Sequence, residues 1–174
     1  MKFVFPTEEY QQKAVEYIVE FYTYSSEVHG SGGLDRYLKE FTYKDWIKKV
    51  TADIDIANIE PDRVPALTYF YVRETDDKII GMINIRLALN DFLRKEGGNI
   101  GYSIRPTERR KGYGSLMLKE ALEFCKIIGL NKVIISCDKS NISSAGVIRK
   151  CNGKLDEEFY SDRYKEIVQR YIIG

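Results

Sequence analysis

The chain has 174 residues, 44% hydrophobic and 30% charged, enough for a real core and too apolar for a disordered segment. Twenty-seven basic residues against 26 acidic ones leave a net charge of +1, so nothing overall draws the chain to nucleic acid or an anionic membrane. No apolar run nears a membrane span, and the opening Met1–Pro6 is too short and soon too acidic for a signal peptide.

In chain order, Lys2 to Phe5 reads as a strand. Thr7 is placed to cap a helix, with Tyr10 at the capping-box position and Glu8 and Glu9 in its first turn. Ala14, Tyr17, Ile18, Phe21 and Tyr22 mark that helix's buried face to about Tyr24. Ser25 to Leu34, with Gly30, Gly32 and Gly33, reads as a flexible loop, and Tyr43 to Val50 as a short second helix. Asp53 to Pro65, with two prolines, reads as irregular. Ala66 to Glu74 and Ile79 to Leu87 are strands joined by a turn at Asp76-Asp77, and Asn90 to Lys95 has room for one helical turn.

The informative stretch follows. Ile100 to Pro106 alternates as a strand and is closed by a proline, which cannot donate to a ladder. Met117, Ala121, Phe124, Cys125 and Ile128 then mark a helix stopped by Gly129. Between them lie Arg109, Arg110, Lys111, Gly112, Tyr113, Gly114 and Ser115. The first turn of a helix carries N–H groups without intrahelical partners and about half a positive charge. Glycines there let a phosphate approach the backbone, and the three cations add to the attraction. A Walker loop is excluded because the lysine precedes the first glycine, and a dinucleotide fingerprint because Met117 stands at the third glycine position.

Lys132 to Cys137 is the next strand. Asn141 to Gly153 is a helix whose Asn can cap it, and Lys154 to Phe159 and Glu166 to Ile172 are two closing strands. The three cysteines, Cys125, Cys137 and Cys151, are odd in number, lie in regular elements and match no zinc pattern; His29 stands alone. They read as reduced residues of a cytosolic protein without a metal. Nothing repeats and no linker separates two cores, so residues 1–174 read as one α+β domain with a mostly antiparallel sheet.

Arg109-x-x-Gly112-x-Gly114 after a strand, followed by a helix, a strand and Asn141 to Gly153, resembles the GNAT superfamily of N-acetyltransferases, best over residues 66–153. The resemblance implies a mixed, mostly antiparallel sheet of six to seven strands, splayed into a V and flanked by about four helices. It implies acetyl-CoA as co-substrate, with its diphosphate at Arg109, Arg110, Lys111, Gly112, Tyr113, Gly114 and Ser115. Its pantetheine arm would lie along the backbone of Tyr102 to Ile104, and Asn141 and Ser144 would lie near it. The Ile104 N–H is the implied oxyanion donor. Arg149 and Lys150 read rather as solvated charges.

The implied reaction is direct transfer of an acetyl group to a primary amine of a small molecule or of a peptide or protein. Making such an amine neutral at pH 7 costs about 4.6 kcal/mol, so a general base, or a water chain leading to one, is expected. Asp138, Glu74 and Glu27 are candidates, with Asp138 nearest the implied cleft. The residue aligned with the family's usual acidic Tyr is Ile148, which cannot donate; Tyr102, Tyr171, Tyr160 and Tyr164 are the alternatives. Cys137 lacks a paired histidine and is a poor nucleophile. The aromatics before residue 47, with Glu16, Glu20, Glu27 and Asp35, would suit a cationic amine. The competing reading is an acyl-CoA-binding module without catalysis, serving regulation or scaffolding. The apolar Tyr171-Ile-Ile173 end is a candidate homodimer contact. No nucleic acid or membrane partner is expected.

Overall fold

The protein is described from a computed structural model covering residues 1–60 and 62–174. Pro61, one of the two prolines of the irregular stretch, lies outside the described residues. Among the described residues seven strands form two sheets. The first runs in the order β1 (Lys2–Val4), β2 (Ala66–Arg73), β3 (Lys78–Arg86) and β4 (Ile100–Ile104). The second runs β5 (Val133–Asp138), β7 (Glu166–Ile173) and β6 (Lys154–Ser161). The ladders β1–β2, β2–β3, β5–β7 and β6–β7 are antiparallel. Among the same residues five α-helices accompany them: α1 (Gln11–Thr23), α2 (Leu34–Glu40), α3 (Tyr43–Ala52), α4 (Tyr113–Ile127) and α5 (Ile142–Lys150).

The contacts divide the chain into two compact units. One holds Met1–Ala88 and Gly101–Tyr113, the other Leu89–Ile100 and Gly114–Gly174. In the first, Ala14, Tyr17, Ile18 and Phe21 of α1 and Trp46 and Val50 of α3 meet Phe70, Val72, Ile79 and Met82 of β2 and β3. Most of the N-terminal rings are thus core, and Tyr43–Trp46 and Tyr17–Phe21 stack at 5.3 and 4.9 Å. Helix α3 starts at a capping box in which Thr42 accepts from the Asp45 N–H and Asp45 accepts from the Thr42 N–H.

In the second unit the π-helical turn Leu93–Gly97 leads to Asn99, which grips β5. Its N–H donates to the Ile134 carbonyl at 2.6 Å, and its Oδ1 accepts from the Ile134 N–H at 2.9 Å. Helix α4 ends as expected at Gly129. The Gly129 and Leu130 N–H groups bond back to Lys126 and Cys125, closing a Schellman turn.

Three expectations need correction. Thr7 makes no side-chain cap; its carbonyl instead accepts from the Tyr10 N–H and the Tyr43 hydroxyl, and a 3-10 turn precedes α1. The segment after Gly33 is not loop alone, because α2 follows at once. The buried stripe of α4 is Met117, Leu118, Ala121, Leu122 and Cys125, whereas Ile128 is exposed.

Candidate functional site

Strand β4 is the edge of its sheet. The Arg105 N–H donates to the Ile80 carbonyl at 2.8 Å. By ladder alternation, the backbone groups of Ile104 and Tyr102 therefore point away from β3, along the outer edge. The Ile104 carbonyl accepts from Arg109 Nε at 3.1 Å, so the structure joins two of the expected site residues directly.

The turn from β4 into α4 is anchored from below and from one side. Glu108 is 4% exposed and accepts from Lys111 at 2.8 Å, Lys78 at 2.9 Å and Arg73 at 3.1 Å. Burial alone would raise its pKa, but those donors outweigh burial and bring it down to about 2. On the side, Glu20 of α1 accepts from the Thr107 N–H at 2.9 Å, the Thr107 hydroxyl at 2.8 Å and Arg105 at 2.9 Å. Burial works against the Glu20 charge, yet these bonds hold its pKa below the usual carboxylate range. Arg105 is itself buried, its Nε on the Ile79 carbonyl and its guanidinium over the Tyr17 ring.

Of the three expected cations, Arg109 is turned toward the first unit's own loop. Its guanidinium donates to Ser26 Oγ at 2.7 Å and lies over the Phe21 ring. Lys111 is half exposed and tied to Glu108. Arg110 is exposed, makes no hydrogen bond or ion pair among the described residues, and sits at φ +62. Gly112 has φ +84, and a side chain there would meet no atom within 4 Å, so its face is open. Helix α4 begins at the next residue. An open backbone face, an unpaired arginine and the free N–H groups of a helix start suit a diphosphate. The Tyr113 hydroxyl accepts from Arg73 at 3.4 Å, and the Ser115 carbonyl accepts from the Cys151 thiol at 3.6 Å.

The remaining expected residues lie in the second unit. Asn141 caps α5, its Oδ1 accepting from the Ser144 N–H at 3.0 Å, and its own N–H donates to the Asp138 carbonyl at 2.9 Å. Asp138, Asn141 and Ser144 are thus gathered at the β5–α5 turn. Burial pushes the Cys137 thiol up despite a hydrogen bond to Ser144, which keeps it a thiol at neutral pH. Tyr171 is 1% exposed and its hydroxyl donates to Gln169 at 2.7 Å, so that proton is committed inside the unit. Tyr160 and Tyr164 are exposed. Ile148 is fully buried and packs beneath Gly153. The Tyr171–Ile173 end belongs to β7, the central strand of its sheet, and offers no free sheet edge to a second copy.

The resemblance sets the loop between the first two helices over the acceptor side, but the sequence did not disclose how Ser26 to Gly33 is fastened to β4 and the turn after it. Ser26 bonds Arg109, the His29 carbonyl accepts from Ser103 Oγ at 2.6 Å, and Gly30 lies against the backbone of Gly101 and Tyr102. The buried Tyr17 hydroxyl donates to the Ser103 carbonyl at 3.0 Å and also meets Ser103 Oγ. These partners are some 80 residues apart in sequence, and no local pattern announces them. Two other base candidates are occupied or remote: Glu74 bonds the Met1 amine at 2.7 Å, and Glu27 lies on the surface beside His29. Among the described residues no group of three or more His, Cys, Asp or Glu could hold a metal, and no helix is long and apolar enough to cross a membrane.

Residues 10–154 match the family model described as an acetyltransferase (GNAT) domain. No curated protein matches the chain in sequence. Among solved structures, RimL, a ribosomal-protein alpha-N-acetyltransferase solved with coenzyme A, superposes with a TM-score of 0.71 at 15% identity, over 98% of this chain and 91% of its own. RimJ of Mycobacterium smegmatis, solved with a CoA disulfide, gives 0.74 at 12% over 98% and 80%. The self-immunity acetyltransferase MccE, solved with acetyl-CoA and AMP, gives 0.67 at 16% over 98% and 89%. At such identities these likenesses speak for the fold alone, while the family match spans well over half the chain. The protein belongs to the GNAT acetyltransferase family, whose acyl donor is acetyl-CoA.

Proposed function

We propose that the protein transfers an acetyl group directly from acetyl-CoA to a primary amine of a small molecule or of a peptide or protein. The observation that carries this reading is the outward-facing edge of β4 at Tyr102 and Ile104, continued by a turn whose Gly112 face is open. Acetyl-CoA, when bound, supplies an activated thioester. The backbone N–H groups from Gly112 to Ser115, with Arg110 and Lys111, would hold its diphosphate. Tyr102 and Ile104 would offer backbone groups to its arm, and Asn141 and Ser144 would contribute at the start of α5. The Ile104 N–H is a fixed donor for an oxygen that gathers negative charge, and it needs no reorganisation to act.

The amine must lose a proton. Asp138 is the carboxylate of the β5–α5 turn, and it is the base this reading assigns. No protein acid is required on the thiol side, because a thiol with a pKa near about 8.5 is stable enough as the thiolate. That tolerance matters because Ile148 gives no proton and the Tyr171 hydroxyl is already committed to Gln169. The three thiols are unpaired, which fits a reducing compartment, and the cytoplasm is the location this reading carries.

The test is thiol release from acetyl-CoA across a panel of primary amines, with acetyl-CoA affinity measured by calorimetry. Release that depends on the amine supports transfer. Binding without release from any amine would favour the non-catalytic module, for which the buried Ile148 is the one supporting observation. No heat with acetyl-CoA would sink both.

A further inference from the structure

The first unit carries a groove of about 400 Å³ between α2, α3 and the preceding loop, lined among others by Arg36, Tyr37, Phe41, Lys49 and Arg63. Its chemistry is not that of a site for a cation. Asp53 is buried and already accepts from Lys49 at 2.6 Å and Arg63 at 3.2 Å. Lys49 also donates to the Gly32 carbonyl at 2.9 Å. The Arg36 backbone N–H donates to the Gly33 carbonyl at 3.0 Å, and its guanidinium makes no hydrogen bond or ion pair among the described residues. With Glu40 on the rim, three cations face two carboxylates and one positive charge is left over. Burial lowers the Lys49 pKa, Asp53 opposes that, and Arg63 and Arg36 repel the ammonium further. A group of like charges round a partly dry space is relieved by an anion. The Tyr37 and Phe41 rings, with centroids 5.2 Å apart and Phe41 58% exposed, give the same groove an apolar wall.

Three of the four acids expected to welcome a positively charged acceptor already accept hydrogen bonds, and the fourth, Glu27, is exposed on the surface. Glu20 holds the turn before α4, Asp35 accepts from Ser31 Oγ at 2.7 Å, and Glu16 accepts from Gln12. The groove is also tied to the transfer strand through the chain itself. Gly32 forms part of its wall, and Gly30, two residues earlier and at most about 7 Å away along the backbone, lies on Gly101 and Tyr102 of β4.

We infer that this groove recognises the acceptor by a carboxylate, which pairs with Arg36 while the acceptor's apolar portion lies on Tyr37 and Phe41. One unbalanced positive charge matches a monoanion better than a phosphate dianion. The inference rests on the transfer reading above and narrows its acceptors to amines that also carry an acid on a short apolar spacer.

The test compares ε-aminocaproate with its uncharged amide as acceptors, with acetyl-CoA affinity measured separately. A charged hydrogen bond in such a place predicts a preference for the acid of about tenfold in kcat/KM. Arg36→Glu should abolish that preference and leave acetyl-CoA affinity unchanged, and Arg36→Lys should keep part of it. No preference in the wild type, or the same preference in Arg36→Glu, overturns the groove's role while the transfer reading stands. If neither amine turns over, ε-aminocaproate is titrated into the protein loaded with CoA. Heat that disappears in Arg36→Glu supports the site, and absence of heat overturns it. Failure to bind acetyl-CoA would instead strike the transfer reading.

Discussion

The Lys111 ammonium lies 2.8 Å from the Glu108 carboxylate, so one of the cations expected to meet a diphosphate is already paired with an acid three residues before it. That acid is buried and is also held by Arg73 and Lys78, which gives the turn a rigid base. Glu108 ionises far more readily in the folded protein, with a pKa of about 2 against 4.5. A depressed carboxylate contributes stability that is complete above its unfolded pKa and is lost as pH falls through the folded one. The shift corresponds to about 3 kcal/mol. Chemical denaturation should therefore show stability falling between pH 4.5 and about 2. Glu108→Gln should flatten that slope and raise the KM for acetyl-CoA.

Arg110 combines a strained backbone with an unpaired charge. A non-glycine residue at φ +62 costs on the order of 1 kcal/mol. Arg110→Gly should raise the unfolding free energy by up to about 1 kcal/mol and at the same time weaken acetyl-CoA. Arg110→Glu should weaken it further, by about tenfold, with the loss shrinking at high salt. Equal acetyl-CoA affinity in all three proteins would remove Arg110 from the diphosphate site.

Gly30 stands at φ +69, where a β-carbon would overlap the backbone of Gly101 and Tyr102. Gly30→Ala should lower stability by about 2 kcal/mol or more, read from thermal unfolding, because neither backbone can yield without disturbing β4. If the variant folds, its acceptor KM should rise more than its acetyl-CoA affinity falls.

Asn141 presents two separable contributions. Its Oδ1 caps α5 on the Ser144 N–H, and Asn141→Ala should cost about 1 kcal/mol. Asn141→Asp keeps the acceptor for the cap and removes the amide donor. Normal stability with a raised acetyl-CoA KM in the aspartate variant would assign the donor to the ligand; unchanged kinetics would leave Asn141 as a cap only.

What could be read from the chain followed the range of the interactions involved. Strand β4, the start of α4 and its glycine stop are set by neighbours a few residues apart, and they appear where the pattern put them. Helix α2 was hidden because Gly30, Gly32 and Gly33 mark a loop, while Leu34–Glu40 is too short to show a helical period. Glu108 was hidden differently. Beside Arg109, Arg110 and Lys111 it looks like one more surface charge, and only Arg73 and Lys78, brought in by β2 and β3, make it a buried anchor. The turn's shape was therefore legible, and the direction in which its cations point was not, since Ser26 captures Arg109 from 83 residues away.

The strap from Ser26 to Gly33 is fastened largely by its backbone: the carbonyls of His29 and Gly32, and the bare α-carbon of Gly30, which no other residue could supply. The exposed side chain of Glu27 takes no part in those fastenings, whereas Val28 packs against the first unit's core. A substitution at Glu27 can therefore alter what an acceptor meets on the strap while the turn after β4 keeps its anchors.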